Sequence, residues 1–143
     1  MKKYFAVIDT NVLVSALLKA ESAPASVLEF CFGGVIKPLY DDRILLEYRE
    51  VLSRSKFNFD KVIIDTTIEA LIEGGVRIEA LAVDVEMPDP KDRVFYEVVM
   101  ESRKNAQEDE DSYLVTGNII HFPKETFVVT PREMLDIIVK DNN

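Results

Sequence analysis

The sequence predicts an α/β fold: three layers, α/β/α, around a central, mostly parallel sheet of about four to five strands flanked by helices. Three observations carry this expectation. Short apolar runs without alternation, such as Tyr4 to Ile8 and Phe127 to Val129, suit strands buried on both faces. Longer segments between them repeat their apolar residues at helical spacing. The two kinds of segment alternate along the chain, as crossover helices covering a parallel sheet would. A length of 143 residues with 48% hydrophobic and 30% charged composition describes a soluble globular chain of about one domain, 1–143. No repeat, low-complexity segment or linker interrupts it.

The first strand, Tyr4 to Ile8, runs into Asp9. Thr10 and Asn11 then open a helix on which Val12, Leu13, Ala16 and Leu17 share a face. Asp9 thus stands at the carboxyl end of a strand, where open α/β sheets bind ligands; it is also placed to cap the helix. Pro24 suits the first turn of a second helix, Pro24 to Phe32, which Gly33-Gly34 ends. Val35 to Tyr40 reads as a short strand whose Pro38 implies an edge position or an early end.

Asp41 or Asp42 caps the next helix, which runs to about Arg54. Ile44, Leu45, Tyr48, Val51 and Leu52 form its apolar stripe. At about 100° per residue, Glu47 falls at the border between core and solvent, and Glu50 points nearly opposite the stripe. Glu47 can therefore lean toward a cleft, whereas Glu50 cannot. Phe57-Asn58-Phe59 is a connector. Asp60 to Glu73 reads as a helix with Val62, Ile63, Thr67, Ala70 and Leu71 inward, stopped by Gly74-Gly75. Val76, Ile78 and Ala80 alternate with charged residues and predict a short strand.

In Met87-Pro88-Asp89-Pro90-Lys91-Asp92 the prolines forbid helix or ladder until Asp89 caps a new helix, with Pro90 first and Asp92 third. Both aspartates also suit the positive end of the helix dipole. The inner face is Val94, Phe95, Val98 and Val99, and the helix ends near Asn105. Ala106 to Asp111 reads as a solvated acidic loop. Ser112 to Val115 is a strand ending in Thr116-Gly117-Asn118, and Phe127 to Val129 is the last strand. Thr130, Pro131 and Glu133 make a capping box for the final helix, with Met134, Leu135, Ile137 and Ile138 inward.

Composition excludes several function classes. No apolar run approaches the ~18 residues of a membrane span. Met1-Lys2-Lys3 followed by YFAVI imitates a signal peptide, but the run stops at Asp9 and no small-residue cleavage site follows, so the expected location is the cytoplasm, with no membrane partner. The single cysteine, Cys31, lies among Val27, Leu28, Phe30 and Phe32 and reads as a buried, inert thiol. With one cysteine and one histidine, a zinc-finger-type site is excluded, and any metal must be held by oxygen. A net charge of −9 opposes broad attraction to nucleic acid, although bound divalent cations and a local basic rim reverse the field near a site.

Asp9 at a strand end, Glu47 on a helix flank, Asp92 in a first helical turn and Asn118 after another strand are able to converge. Three carboxylates and an amide make an oxygen-lined site for Mg²⁺ or Mn²⁺. Such ions lower the pKa of water and clamp phosphoryl oxygens, which suits phosphodiester hydrolysis.

The residues that carry this reading also carry a resemblance. The sequence resembles the PIN-domain family of metal-dependent ribonucleases, most closely its branch of toxins from bacterial toxin–antitoxin pairs. The similarity spans nearly the whole chain. It rests on VIDTNVLVSALL (7 to 18), LLEYREVLSR (45 to 54), DPKDRVFYEV (89 to 98) and YLVTGNIIHFP (113 to 123). The first and last are specific together in this order; the middle two are weak alone.

The resemblance implies a single PIN-like domain, with Asp9, Glu47 and Asp92 as the acidic metal ligands of a Mg²⁺- or Mn²⁺-dependent ribonuclease. Asn118 stands where many members carry a fourth aspartate; an amide ligates more weakly and brings no charge, which bears on a second metal. Asp111 cannot substitute, because about seven residues of strand place it near the opposite sheet edge. Thr10, Asn11, Thr116 and Asp89 are the expected supporting groups. Arg43, Lys91, Arg93, His121 and Lys124 are the substrate-contact candidates. For His121 a packing role is an equal expectation, and solvated surface charge is the alternative for each of the others.

The function that follows is cleavage of single-stranded RNA by the toxin of a toxin–antitoxin pair, with an antitoxin protein as partner and a homodimer as the expected assembly. A catalytically weak PIN-like module that binds a protein or RNA is the second reading, supported by Asn118 and the negative charge. An aspartyl-phosphate enzyme built on Asp9 is disfavoured, because such enzymes need a second aspartate where this chain has Asn11.

Overall fold

In the computed structural model, which describes residues 2–143, the first apolar run forms strand β1 (Lys3–Ile8), with Ala6, Val7 and Ile8 all buried. A strand apolar on both faces needs neighbours on both edges and cover above and below. It has them. Among the described residues five strands form one all-parallel sheet, β3-β2-β1-β4-β5, with β2 at Ile36–Tyr40, β3 at Val76–Arg77, β4 at Glu110–Val115 and β5 at Val128–Val129. Six helices flank it: α1 (Thr10–Leu18), α2 (Ala23–Phe32), α3 (Asp42–Leu52), α4 (Lys61–Gly74), α5 (Arg93–Lys104) and α6 (Pro131–Asp141). The expected three-layer α/β/α architecture is present.

Strands β2 and β3 add to one side of β1, and β4 and β5 to the other. The order therefore reverses between β1 and β4, and the crevice outside their carboxyl ends is where such sheets bind ligands. Register makes this specific. Ile8 pairs with Val115, and the Asp9 amide donates to the Val115 carbonyl at 2.9 Å, so Asp9 and Thr116 leave the sheet side by side.

Local chemistry sets the helix ends. Ser22, Asp41 and Asp60 each accept a hydrogen bond from an amide in the first turn of α2, α3 and α4. Thr130 and Glu133 form the reciprocal capping box that opens α6. After α4 the backbone passes very close to β2: a Cβ at Gly75 would lie 2.4 Å from the Pro38 carbonyl oxygen, so no larger residue fits.

Several expectations change. Strand β2 lies inside the sheet despite Pro38. Strand β3 reaches only Leu39 and Tyr40, so Pro38 is paired by β1 alone and its missing donor is tolerated. In α4 the inward residues are Ile64, Thr67, Ile68 and Leu71, while Val62 and Ile63 are exposed. The third strand is only two residues long, so Ile78 and Ala80 lie beyond it. Strand β4 starts at Glu110, inside the stretch expected to be a loop, because Lys3 and Tyr4 pair with Glu110 and Asp111 and the Lys2 ammonium meets Asp111 at 2.9 Å. Asp111 thus sits at the end of the sheet away from Asp9. Cys31 is buried as expected, and burial pushes its thiol up to about 12.

Candidate metal centre

Asp9 occupies the N-cap position of α1 but does not cap it: its side chain makes no cap hydrogen bond. Instead Oδ2 accepts from the Thr116 hydroxyl at 2.7 Å, and both residues are buried. The Thr116 oxygen itself accepts from the Asn118 amide at 2.9 Å, which fixes its rotamer. The turn after β4 therefore holds the carboxylate at the end of β1.

Glu47 arrives from α3. Its neighbour Tyr48 is buried and donates its hydroxyl to the Ile8 carbonyl, immediately before Asp9, so α3 is pinned to the end of β1. Glu47 is half-buried and receives a hydrogen bond from the Thr10 hydroxyl, whereas Glu50 is exposed. Asp92 lies in the 3₁₀ turn Pro90–Asp92 ahead of α5, which Asp89 caps by accepting from the Lys91 amide at 3.0 Å. Its Oδ2 is 3.3 Å from His121 Nδ1, and the ligand atoms of Asp89, Asp92 and His121 lie within 4.8 Å of one another.

The electrostatics show that the three carboxylates share one region. Burial raises the Asp92 carboxyl to about 6; repulsion from Asp9, Asp89 and Glu47 adds to this and His121 opposes it. Burial also raises Asp9, against the Thr116 hydrogen bond and the favourable potential of the Thr10 and Asn11 amides. Glu47 is raised by burial and by Asp9, with the Thr10 hydrogen bond acting the other way. Among the described residues, no lysine or arginine forms an ion pair with any of the three; the one partner of this kind is His121, at Asp92. Buried carboxylates that repel one another without a cation are costly. An all-oxygen donor set of this charge fits a hard divalent ion.

A family model for the PIN domain matches residues 6–119. The chain belongs to the PIN-domain family. The match includes Asp9, Glu47, Asp92 and Asn118. PIN domains are generally metal-dependent nucleases that act on nucleic acid, and in this one the group Asp89, Asp92 and His121 is close enough together to hold a metal ion. Neither the curated proteins nor the solved structures give a match. Among the described residues, no helix is long and apolar enough to cross a membrane.

The remaining nominated residues divide. Asn118 is half-buried and its side chain does not cap the following turn; with Asn11 it lines a hollow beside the carboxylates. His121 stands against Asp92. Lys91 and Lys124 are exposed. The two arginines expected at the substrate are placed differently. Arg43 is engaged by Asp41 at 2.7 Å and by Glu97 at 2.8 Å. Arg93 donates to the Val83 and Val85 carbonyls, both at 2.8 Å, and so straps the segment before Met87 to α5. Both guanidiniums are occupied by the fold.

Sequence reasoning missed Tyr48 and Glu97 as supports of the site. Tyr48 read as a core residue, and its hydroxyl gave no pattern. Glu97 lies at 3% exposure inside the apolar face of α5, where it meets Arg43 and the Val83 amide. A glutamate between Tyr96 and Val98 on an otherwise apolar face was the available signal.

Proposed function

We propose that this PIN domain is a Mg²⁺- or Mn²⁺-dependent endoribonuclease that cleaves single-stranded RNA, the toxin of a toxin–antitoxin pair, working in the cytoplasm as a homodimer with residues 1–143 acting as one domain. The observation that carries the catalytic part is the set Asp9, Glu47 and Asp92, each raised by burial, with Asp9 repelling the other two and, among the described residues, no lysine or arginine paired with any of them. These three residues would hold the ion. When bound, such an ion neutralises phosphoryl oxygens and lowers the pKa of water.

The chain's own groups do the positioning. Thr116 fixes one oxygen of Asp9, Thr10 fixes Glu47, and Tyr48 keeps their two elements in register. His121, beside Asp92, presents an imidazole where a substrate phosphate would approach, and the exposed Lys91 and Lys124 supply nearby positive charge. A binding module of weak activity is the second reading, favoured by the net charge of −9 and by an amide at position 118. Cleavage of a single-stranded RNA pool with and without Mn²⁺ separates the two. Metal-dependent cuts that vanish in Asp9→Asn support the nuclease, and equal cleavage by both proteins overturns it.

A further inference from the structure

The hollow lined by Asn11 and Asn118 opens next to the chain segments that carry Asp9 and Thr116, and the metal reading does not use it. It measures about 390 Å³, and its walls include Ser15, Phe57, Gly117 and Pro131. That volume falls in the ~300–1,000 Å³ range of small-ligand sites. It adjoins the centre through covalent neighbours: Asn11 is two residues from Asp9, and the Asn118 amide holds the Thr116 hydroxyl that holds Asp9.

Three features give it a chemistry. First, among the described residues neither the Asn11 nor the Asn118 side-chain amide has a hydrogen-bond partner, so each presents a donor and an acceptor to whatever enters. Second, Phe57 brings an aromatic ring that stacks on Phe59 with centroids 5.6 Å apart, so an entering base would extend that aromatic pair, and Lys56 places an ammonium 5.1 Å from the Phe57 centroid. Third, no acidic residue lines the hollow, in a chain whose net charge is −9 and whose neighbouring centre holds three carboxylates. A Cβ at Gly117 would meet nothing within 4 Å, so the hollow is open at that wall. Amide donor–acceptor pairs read base edges, and aromatic rings stack unpaired bases.

We propose that this hollow is a nucleobase subsite, which seats the base flanking the scissile phosphate of single-stranded RNA through Asn11, Asn118 and Phe57. The proposal rests on the nuclease reading for its place in cleavage, but the site itself is testable apart from it. On this account Asn118 serves the substrate rather than the ion.

Two measurements test it. Uncharged nucleosides (adenosine, cytidine, guanosine, uridine) are titrated into the metal-free protein while the side-chain amide signals of Asn11 and Asn118 are followed by NMR. At least one nucleoside should shift both signals, and the shift should disappear in Phe57→Leu and return in Phe57→Tyr; no response to any of the four overturns the subsite. In cleavage of a random RNA pool, Asn11→Ala and Phe57→Leu should raise KM by about tenfold and flatten the base preference at one position beside the cut, with Mn²⁺ affinity unchanged. Unaltered KM and preference in both variants also overturn it. A wild-type protein that cuts no RNA defeats the nuclease reading instead, and the nucleoside titration still decides the subsite.

Discussion

The two ends of the sheet treat carboxylates in opposite ways. At the amino-terminal end of β1, Asp111 meets the Lys2 ammonium at 2.9 Å, Asp109 meets Lys3 at 3.8 Å, and Asp141 accepts from the Tyr4 hydroxyl at 2.9 Å. Charge there is exposed and paired, and the Asp111 hydrogen bond raises Lys2. At the carboxyl end Asp9 is buried and Glu47 and Asp92 are half-buried. Hydroxyls hold Asp9 and Glu47, His121 stands against Asp92, and burial raises all three, with repulsion from Asp9 adding to it at Glu47 and Asp92. The same residue type stabilises one end and strains the other. A fold selected for stability alone would not gather its anions where, among the described residues, no lysine or arginine pairs with them. The difference marks the second end as the place where a cation belongs.

The largest expected effect breaks the strained end directly. Asp9→Asn should cut RNA cleavage by more than the ~10–100-fold typical of supporting residues, while the metal-free protein melts no lower than wild type, because a buried unpaired charge is removed. Asp111→Asn, at the paired end, should leave cleavage unchanged in the same kinetic assay. Next in size is the contrast within α3. Glu47→Gln should cost at least the ~10–100-fold of a supporting residue in kcat and Glu50→Gln almost nothing, since only Glu47 is gripped by Thr10 beside Asp9. Equal losses in the two variants would mean that α3 does not present Glu47 to the centre.

Much of this was legible in the sequence because it is local. The run Tyr4–Ile8 into Asp9, the Asp41 cap with the Ile44–Leu52 stripe, and the Thr130–Glu133 box each specify their element within about ten residues. Phase failed where local pattern was degenerate: Val62, Ile63 and Ile64 are three β-branched residues in a row, and packing, not periodicity, chose Ile64. Pro38 misled because its tolerance depends on how far β3 extends, which is a property of the sheet. Of the three candidate acids, Asp9 and Asp92 drew notice because each sits at an element end, and Glu47 because the helix phase of α3 put it at the border between core and solvent. Arg43 and Arg93 were misplaced because their partners, Glu97 and the Val83 and Val85 carbonyls, are distant or lie in irregular chain. The Asn11–Phe57–Asn118 hollow joins three segments far apart in the chain, and no spacing rule announces it.

A smaller effect sharpens the comparison through pH. The Asp92 carboxyl titrates at about 6 in the folded protein against an ordinary 3.8, so the native state holds its proton more tightly than the unfolded chain does. Its cost is absent below the lower value and complete above the upper one. Metal-free stability should therefore fall as pH rises through that window by about 1 kcal/mol more in wild type than in Asp92→Asn, after allowance for partial exposure. Chemical denaturation at a series of pH values checks the sign; a wild-type curve parallel to that of Asp92→Asn would remove Asp92 from the strained set.

The most direct test of the contrast is thermal melting at pH 7 with and without Mn²⁺. An ion held by Asp9, Glu47 and Asp92 at about a hundred times its Kd contributes about 2.7 kcal/mol, roughly 5–10 °C in Tm for a chain of this size. Wild type and Asp111→Asn should both show that rise, and Asp9→Asn should lose most of it. A Tm indifferent to Mn²⁺ in wild type, or an equal rise in Asp9→Asn, would contradict the assignment of the strained end as the metal centre.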